Sequence, residues 1–225
     1  MKAILHDDLK LDALDVRTPR RNRTSGSMSA LSTGRPQIQW GTVEEPCCRF
    51  NKLVDNRFVN IHLKTLNIRR FYEEFENALV NLVYRRSVEW FNKELSEFDV
   101  KRMLCSLMNQ ERDIVLKVGK AVQCYHLQDG DNIENIDLKD IPSNSLVVPI
   151  VRFDGIFIAK HHYSISLTME QLLVLGKDDI IDAPVDHPFV LCQDEDILDP
   201  HAHSIAQEYD DGSFETHKFT GDDKD

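Results

Sequence analysis

At 225 residues the chain is long enough for one large domain or two small ones with a real core. Hydrophobic residues make up 41% and charged residues 29%, polar for a globular protein but not a disordered composition. The net charge of −11 is unevenly spread: residues 178–225 hold fifteen acids against Lys218 and Lys224, a net of −13, which leaves residues 1–177 near +2. An average this lopsided does not exclude a polyanionic partner for the body of the chain. No apolar run approaches the roughly 18 residues that span a bilayer. The first eleven residues carry His6, Asp7, Asp8 and Lys10 and lack the apolar stretch of a secretory signal. Cys47, Cys48, Cys105, Cys124 and Cys192 form no Cys-x-x-Cys pair and no regular framework, so reduced thiols in an intracellular compartment are expected.

In chain order, residues 1–39 read as a basic, flexible arm. Arg17, Arg20, Arg21, Arg23 and Arg35 have no acid among them, and Pro19, Pro36 and several Ser, Thr and Gly interrupt the stretch. Such a segment has little apolar surface to offset its chain entropy, and it suits either phosphates or solvent. A core over 40–177 follows. Arg57 to Leu66 alternates, with Phe58, Asn60, His62 and Lys64 on one face and Val59, Ile61, Leu63 and Thr65 on the other, the pattern of a strand with one buried face. From Ile68 the period lengthens. Phe71, Phe75, Ala78, Leu79, Leu82 and Val83, then Val88, Trp90 and Phe91, predict one long amphipathic helix in which Trp90 anchors against the sheet. Ser96 with Asp99 resembles a capping box opening a second, shorter helix.

Strands return from Asp113 to His126. Asp129-Gly130-Asp131-Asn132 signals a turn, Asp154-Gly155 a hairpin turn, and Tyr163 to Leu175 a last strand. The order implies an α+β fold: a small, strongly curved antiparallel sheet or barrel, with a helical pair inserted after the first strand. Beyond Gly176 prolines and acidic runs predict a charged, mostly unstructured tail over 178–225.

The motifs of common enzymes are missing from the sequence: no glycine-rich dinucleotide or phosphate loop and no Gly-x-Ser-x-Gly. Adjacent His161 and His162 would point to opposite faces of a strand, and His201 with His203 could hold a divalent ion only weakly. Cys105 and Cys124 sit on apolar periodic positions, where inert burial is the usual outcome. No catalytic residue, metal or cofactor is therefore expected. What stands out is flat and cationic side chains close together, along the first strand and helix and again from Arg152 to Tyr163. Aromatics for base stacking and cations for phosphates suit a single-stranded nucleic acid. The residues expected nearest such a ligand are Lys64, Arg152, Phe157, Lys160, His161 and Tyr163, with the first strand and the late hairpin sharing one face.

Several of these segments resemble a family of single-stranded-DNA-binding-like proteins of the OB-fold type, encoded by large nucleocytoplasmic double-stranded DNA viruses. The shared features are Trp40-Gly41, the strand Phe58 to Leu63, and Trp90-Phe91-Asn92-Lys93. The late hairpin follows, as Gly155-Ile156-Phe157-Ile158, a polar turn, Tyr163 to Leu167 and Gln171-Leu172. Phe157, Tyr163-Ser164 and Leu167 stand where the family carries Trp, Phe-Gly and a second Trp. The resemblance implies an OB-like barrel and a viral, non-enzymatic protein that binds single-stranded DNA in a host cytoplasm or nucleus. In phage-type single-strand binders an acidic tail competes for the basic groove and recruits replication partners, and the tail here has the charge for that role. The alternative is a virion structural or assembly protein, a minor capsid component whose arm and tail lace between subunits and for which a homo-oligomer is expected. Neither reading involves a membrane.

Overall fold

The computed structural model describes residues 3–21, 28–128 and 132–177; the expected tail and His201 and His203 lie outside the described residues. The elements in chain order are β1 (Ile4–Leu5), β2 (Arg20–Arg21), β3 (Met28–Leu31), β4 (Gln37–Gln39), β5 (Cys48–Asp55) and β6 (Phe58–Leu63). Three helices come next, α1 (Leu66–Arg85), α2 (Ser87–Phe91) and α3 (Glu97–Met103). The remaining strands are β7 (Leu104–Cys105), β8 (Asp113–Leu127), β9 (Ile133–Asn135), β10 (Ser145–Ile158) and β11 (Tyr163–Lys177).

Five of these strands close on themselves in the order β10-β5-β6-β8-β11, with β11 returning to β10. All the pairings are antiparallel except β8 with β11, so the barrel is mixed rather than purely antiparallel. This closed, mixed five-stranded barrel is OB-like in its pairing. Alternation puts Val59, Ile61 and Leu63 of β6, Ile114 and Leu116 of β8, and Phe50 of β5 into the shared interior, each at most 2% exposed. In register, Phe50 faces Ile61, and Ile61 faces Ile114. The strand from Cys48 was not legible in the sequence, so the alternating segment is the second strand of the barrel and not its first. The helices accordingly lie between the second and third barrel strands.

The long helix breaks at Arg86 rather than running through to Phe91. There the backbone leaves helical values (φ −104°, ψ 13°), and the guanidinium donates to the Val16 carbonyl at 2.7 Å and lies 5.9 Å from the Trp90 ring. Trp90 turns inward and is buried, while Val88 turns out to 61% exposure. Ser96 caps α3 as expected, its hydroxyl accepting the Asp99 N–H at 3.1 Å and donating to the Asp99 carboxylate at 2.6 Å. That hydroxyl contact holds the Asp99 carboxyl below its usual range.

Asp154-Gly155 is not a turn. Gly155 lies inside β10 at φ +138°, beside a register shift, where β3 passes so closely that a Cβ would meet the Ala30 carbonyl oxygen at 2.0 Å. The reversal comes later, at Ala159–His162, closed by the Ala159 N–H to the His162 carbonyl at 2.8 Å. Residues 129–131 of the other expected turn lie outside the described residues.

Of segment 1–39, the described part is laid on the barrel instead of extending away. β10 pairs along one edge with β11 and shares its other edge among β5, β4 and β3 in turn. Val16, Ala30 and Ile38 join the core, and His6 is buried edge-on against Phe71 at 5.4 Å. Composition had counted arginines, but three small or branched side chains and the free edge of a long strand decide where the segment lies. Among the described residues no helix is long and apolar enough to cross a membrane.

Candidate nucleic-acid interface

The six expected residues do not form one surface. Phe157, Lys160 and His161 are together at the β10–β11 turn, where Lys160 and His161 are exposed. Phe157 is half-buried in an outward row, in register with Ser29 of β3 on one side and Ser164 of β11 on the other. Ser29 is in turn opposite Arg20, so β2 brings Arg20 and Arg21 to the same end. Tyr163 points the other way and is fully buried, which removes its ring as a stacking surface. Phe153 is also in the core, edge-on to Phe75 at 5.2 Å. Arg152 donates to the Asp154 carboxylate at 2.7 Å and to Glu170, and the Thr168 hydroxyl donates to Asp154 at 2.6 Å. The Asp154 hydrogen bond, ahead of the other contacts, raises the Arg152 pKa, and the guanidinium is committed to carboxylates rather than open to a phosphate. Lys64, at the end of β6, is separated from β10 by β5 and from β11 by β8. The first strand and the hairpin thus lie on different walls, because closure placed a strand on each side that the sequence pattern did not order.

A second basic surface was missed. On the outer wall of β5, β6 and β8, cross-strand register sets three rows. Arg49, His62 and Asp113 form the first, Lys52, Asn60 and Val115 the second, and Asp55, Phe58 and Lys117 the third; Arg49 and Val115 are buried. Lys52 and Lys117 are exposed, and Phe58 is half-buried with the Arg57 guanidinium 5.8 Å from its ring centre. Asp55 is the acid of this row; it accepts the Arg57 and Phe58 backbone N–H groups at 2.6 and 3.1 Å, and its carboxylate pairs with the exposed Arg57 guanidinium at 3.6 Å.

The first row carries a polar network. Asp113 is buried, and its carboxylate accepts from Asn51 at 3.0 Å, from Asn60 at 3.4 Å and from His62 Nδ1 at 2.8 Å. Asn109 holds the Asp113 backbone in both directions at 2.9 Å. Donors on three sides offset the desolvation of this carboxylate and pin the chain as it enters β8. The alternation of Phe58, Asn60, His62 and Lys64 was the sequence signal for this wall. Its partners, Lys52, Asp113 and Lys117, depend on a strand the pattern did not reveal and on pairing that crosses fifty residues.

A further cluster lies inside, where α1 meets β11. The Tyr72 and Tyr163 hydroxyls and Glu76 Oε1 are buried with no well-formed hydrogen bond, although Tyr72, Glu76 and Ser106 are close enough to influence one another. Burial first, then Glu76, raises the Tyr72 pKa well above its ordinary value, and burial likewise raises Glu76 and Tyr163. Burial also pushes the Cys124 thiol up to about 11, which disfavours its use as a nucleophile. No group of three or more metal-ligating side chains occurs among the described residues.

No family model and no curated protein sequence matches this chain.

Proposed function

We propose that this chain is a non-enzymatic protein that binds single-stranded DNA on the outer wall of β5, β6 and β8. The observation that carries the reading is the half-exposed Phe58 ring set beside the exposed Lys52 and Lys117 on a curved sheet. Stacking on a ring tolerates any base, and flanking cations follow the phosphates, so the arrangement favours affinity over sequence choice. Phe157 with Arg20, Arg21, Lys160 and His161 supplies a second, smaller contact at the hairpin end. The acidic segment 178–225, at net −13, acts in this reading as a tethered competitor that single strands displace. Such a protein fits the replication machinery of the viruses whose single-strand-binding-like proteins the sequence resembles.

A virion structural role is the second reading. It is favoured by the N-terminal strands, which add to sheet edges as lacing segments do, and by the loss of Tyr163 and Arg152 from the hairpin surface. Titration of the full chain with mixed-sequence single strands and a matched duplex, at two salt concentrations, separates the two. Tight, salt-dependent and strand-selective binding supports the first reading. No binding at low salt, with concentration-dependent self-association, supports the second.

A further inference from the structure

We propose that Asn60 reads the exocyclic amine of a nucleobase stacked on Phe58, an inference that rests on the single-strand reading above. Asn60 occupies the middle of the outward row of β6, two residues from Phe58 and two from His62. It is 2% exposed, its Nδ2 is directed at the Asp113 carboxylate at 3.4 Å, and its Oδ1 has no hydrogen-bond partner. A buried carbonyl oxygen without a donor is costly, and folded proteins rarely keep one unless a water or a ligand supplies the proton. The orphan lies under the wall already marked by the lysines and the ring.

The surroundings define the missing donor. Lys52 stands directly opposite Asn60 and Lys117 directly opposite Phe58. Both are long, exposed side chains whose heads can follow a strand's phosphates over the wall that holds the amide. A base lying on Phe58 then turns one edge toward Asn60. One acceptor faces that edge, Oδ1, while the amide's Nδ2 is turned to the Asp113 carboxylate that Asn51 and His62 hold in place. An unpartnered acceptor there attracts an amine and repels a carbonyl oxygen. Cytosine and adenine carry an amine at the position where uracil and thymine carry a carbonyl. The wall therefore prefers amine-bearing bases, while its phosphate contacts remain indifferent to sequence.

The test compares 15-nucleotide deoxycytidine and deoxyuridine strands, whose bases exchange an amine for a carbonyl, by fluorescence anisotropy with the full chain at neutral pH. Wild type is expected to bind the cytosine strand about 5-fold more tightly, as one hydrogen-bonded edge contact should give. Asn60→Leu brings the ratio near one without changing the salt slope. Should Asn60→Leu fail to fold, wild type against N4,N4-dimethylcytosine strands gives the same reading, with a loss of about 5-fold expected when the amine can no longer donate. Equal binding of cytosine and uracil strands by wild type, or preference for uracil, overturns this inference and leaves the proposed function standing. Failure to bind either strand overturns the proposed function, and this inference with it.

Discussion

Arg152 and Lys52 are both cations at outward positions of barrel strands, yet the first is held by two carboxylates and the second stands opposite a neutral amide. The same contrast runs through their regions. On the β10–β11 side the polar groups answer one another, and the large rings, Phe153 and Tyr163, are in the core. On the β5–β6–β8 side the one buried carboxylate, Asp113, is bonded by Asn51, Asn60 and His62, and the exposed Lys52 and Lys117 stand opposite an amide and a ring. A count of basic residues along the sequence ranks the two sides alike. What separates them is where the acids point.

The largest effect tests whether the hairpin side is closed. Gly155→Ala should destabilise the protein by about 3 kcal/mol, because a side chain at positive φ must also displace the Ala30 carbonyl. A thermal or urea melt close to wild type would mean that β3 does not lie against β10. Next comes Arg152→Ala, which leaves Glu170 part-buried without its cation and Asp154 with only the Thr168 hydroxyl. A stability loss of about 2 kcal/mol is expected, with single-strand affinity unchanged. Weakened binding in a stably folded Arg152→Ala protein would return this residue to the interface and erase the contrast. Phe58→Ala should cost about 1–2 kcal/mol of single-strand binding without altering its salt dependence, since stacking releases no counterions. Retained affinity would exclude the ring as a platform.

The smallest effect concerns Glu76, a part-buried carboxylate whose Oε1, unlike the oxygens of Asp113, has no hydrogen-bond partner. Its pKa is raised in the folded state, so the folded protein holds that proton to higher pH than the unfolded chain. Its contribution to stability is complete below the ordinary glutamate value and is lost as pH rises through the raised one. Glu76→Gln should therefore be more stable than wild type near neutral pH, with the difference vanishing toward acid. Paired melts across pH 4.5 to 8 measure it, and a gap that does not narrow at low pH would show that Glu76 is paired after all.

Much of the architecture was readable from pattern alone. The period-two run at Phe58 to Leu63 and the period-four run through Phe71, Phe75 and Leu79 fall where the strand and helix lie, and Trp90 is buried as its spacing suggested. The strand at Cys48–Asp55 was not readable, because a register shift at Asn51 breaks its alternation. Nor was Gly155, whose role is set by a strand more than a hundred residues earlier passing over it. The candidate site was half legible. One face of β6 could be listed residue by residue, but its cross-strand partners follow from pairings that local sequence does not encode. Arg152 illustrates the reverse error, since a cation two residues from Asp154 reads as basic until the strand puts both on one face.

The most direct test of the central claim is the salt dependence of single-strand binding by wild type and by Lys52→Ala/Lys117→Ala. Both would be titrated as full chains with a mixed-sequence 20-nucleotide strand between 50 and 200 mM salt. Each lysine that neutralises a phosphate contributes about 0.7 to the slope of log affinity against log salt on single strands. The account predicts salt-sensitive binding by wild type and a slope lower by about 1.4 in the double variant. A wild-type protein that does not bind, or a double variant with the same slope, would contradict it.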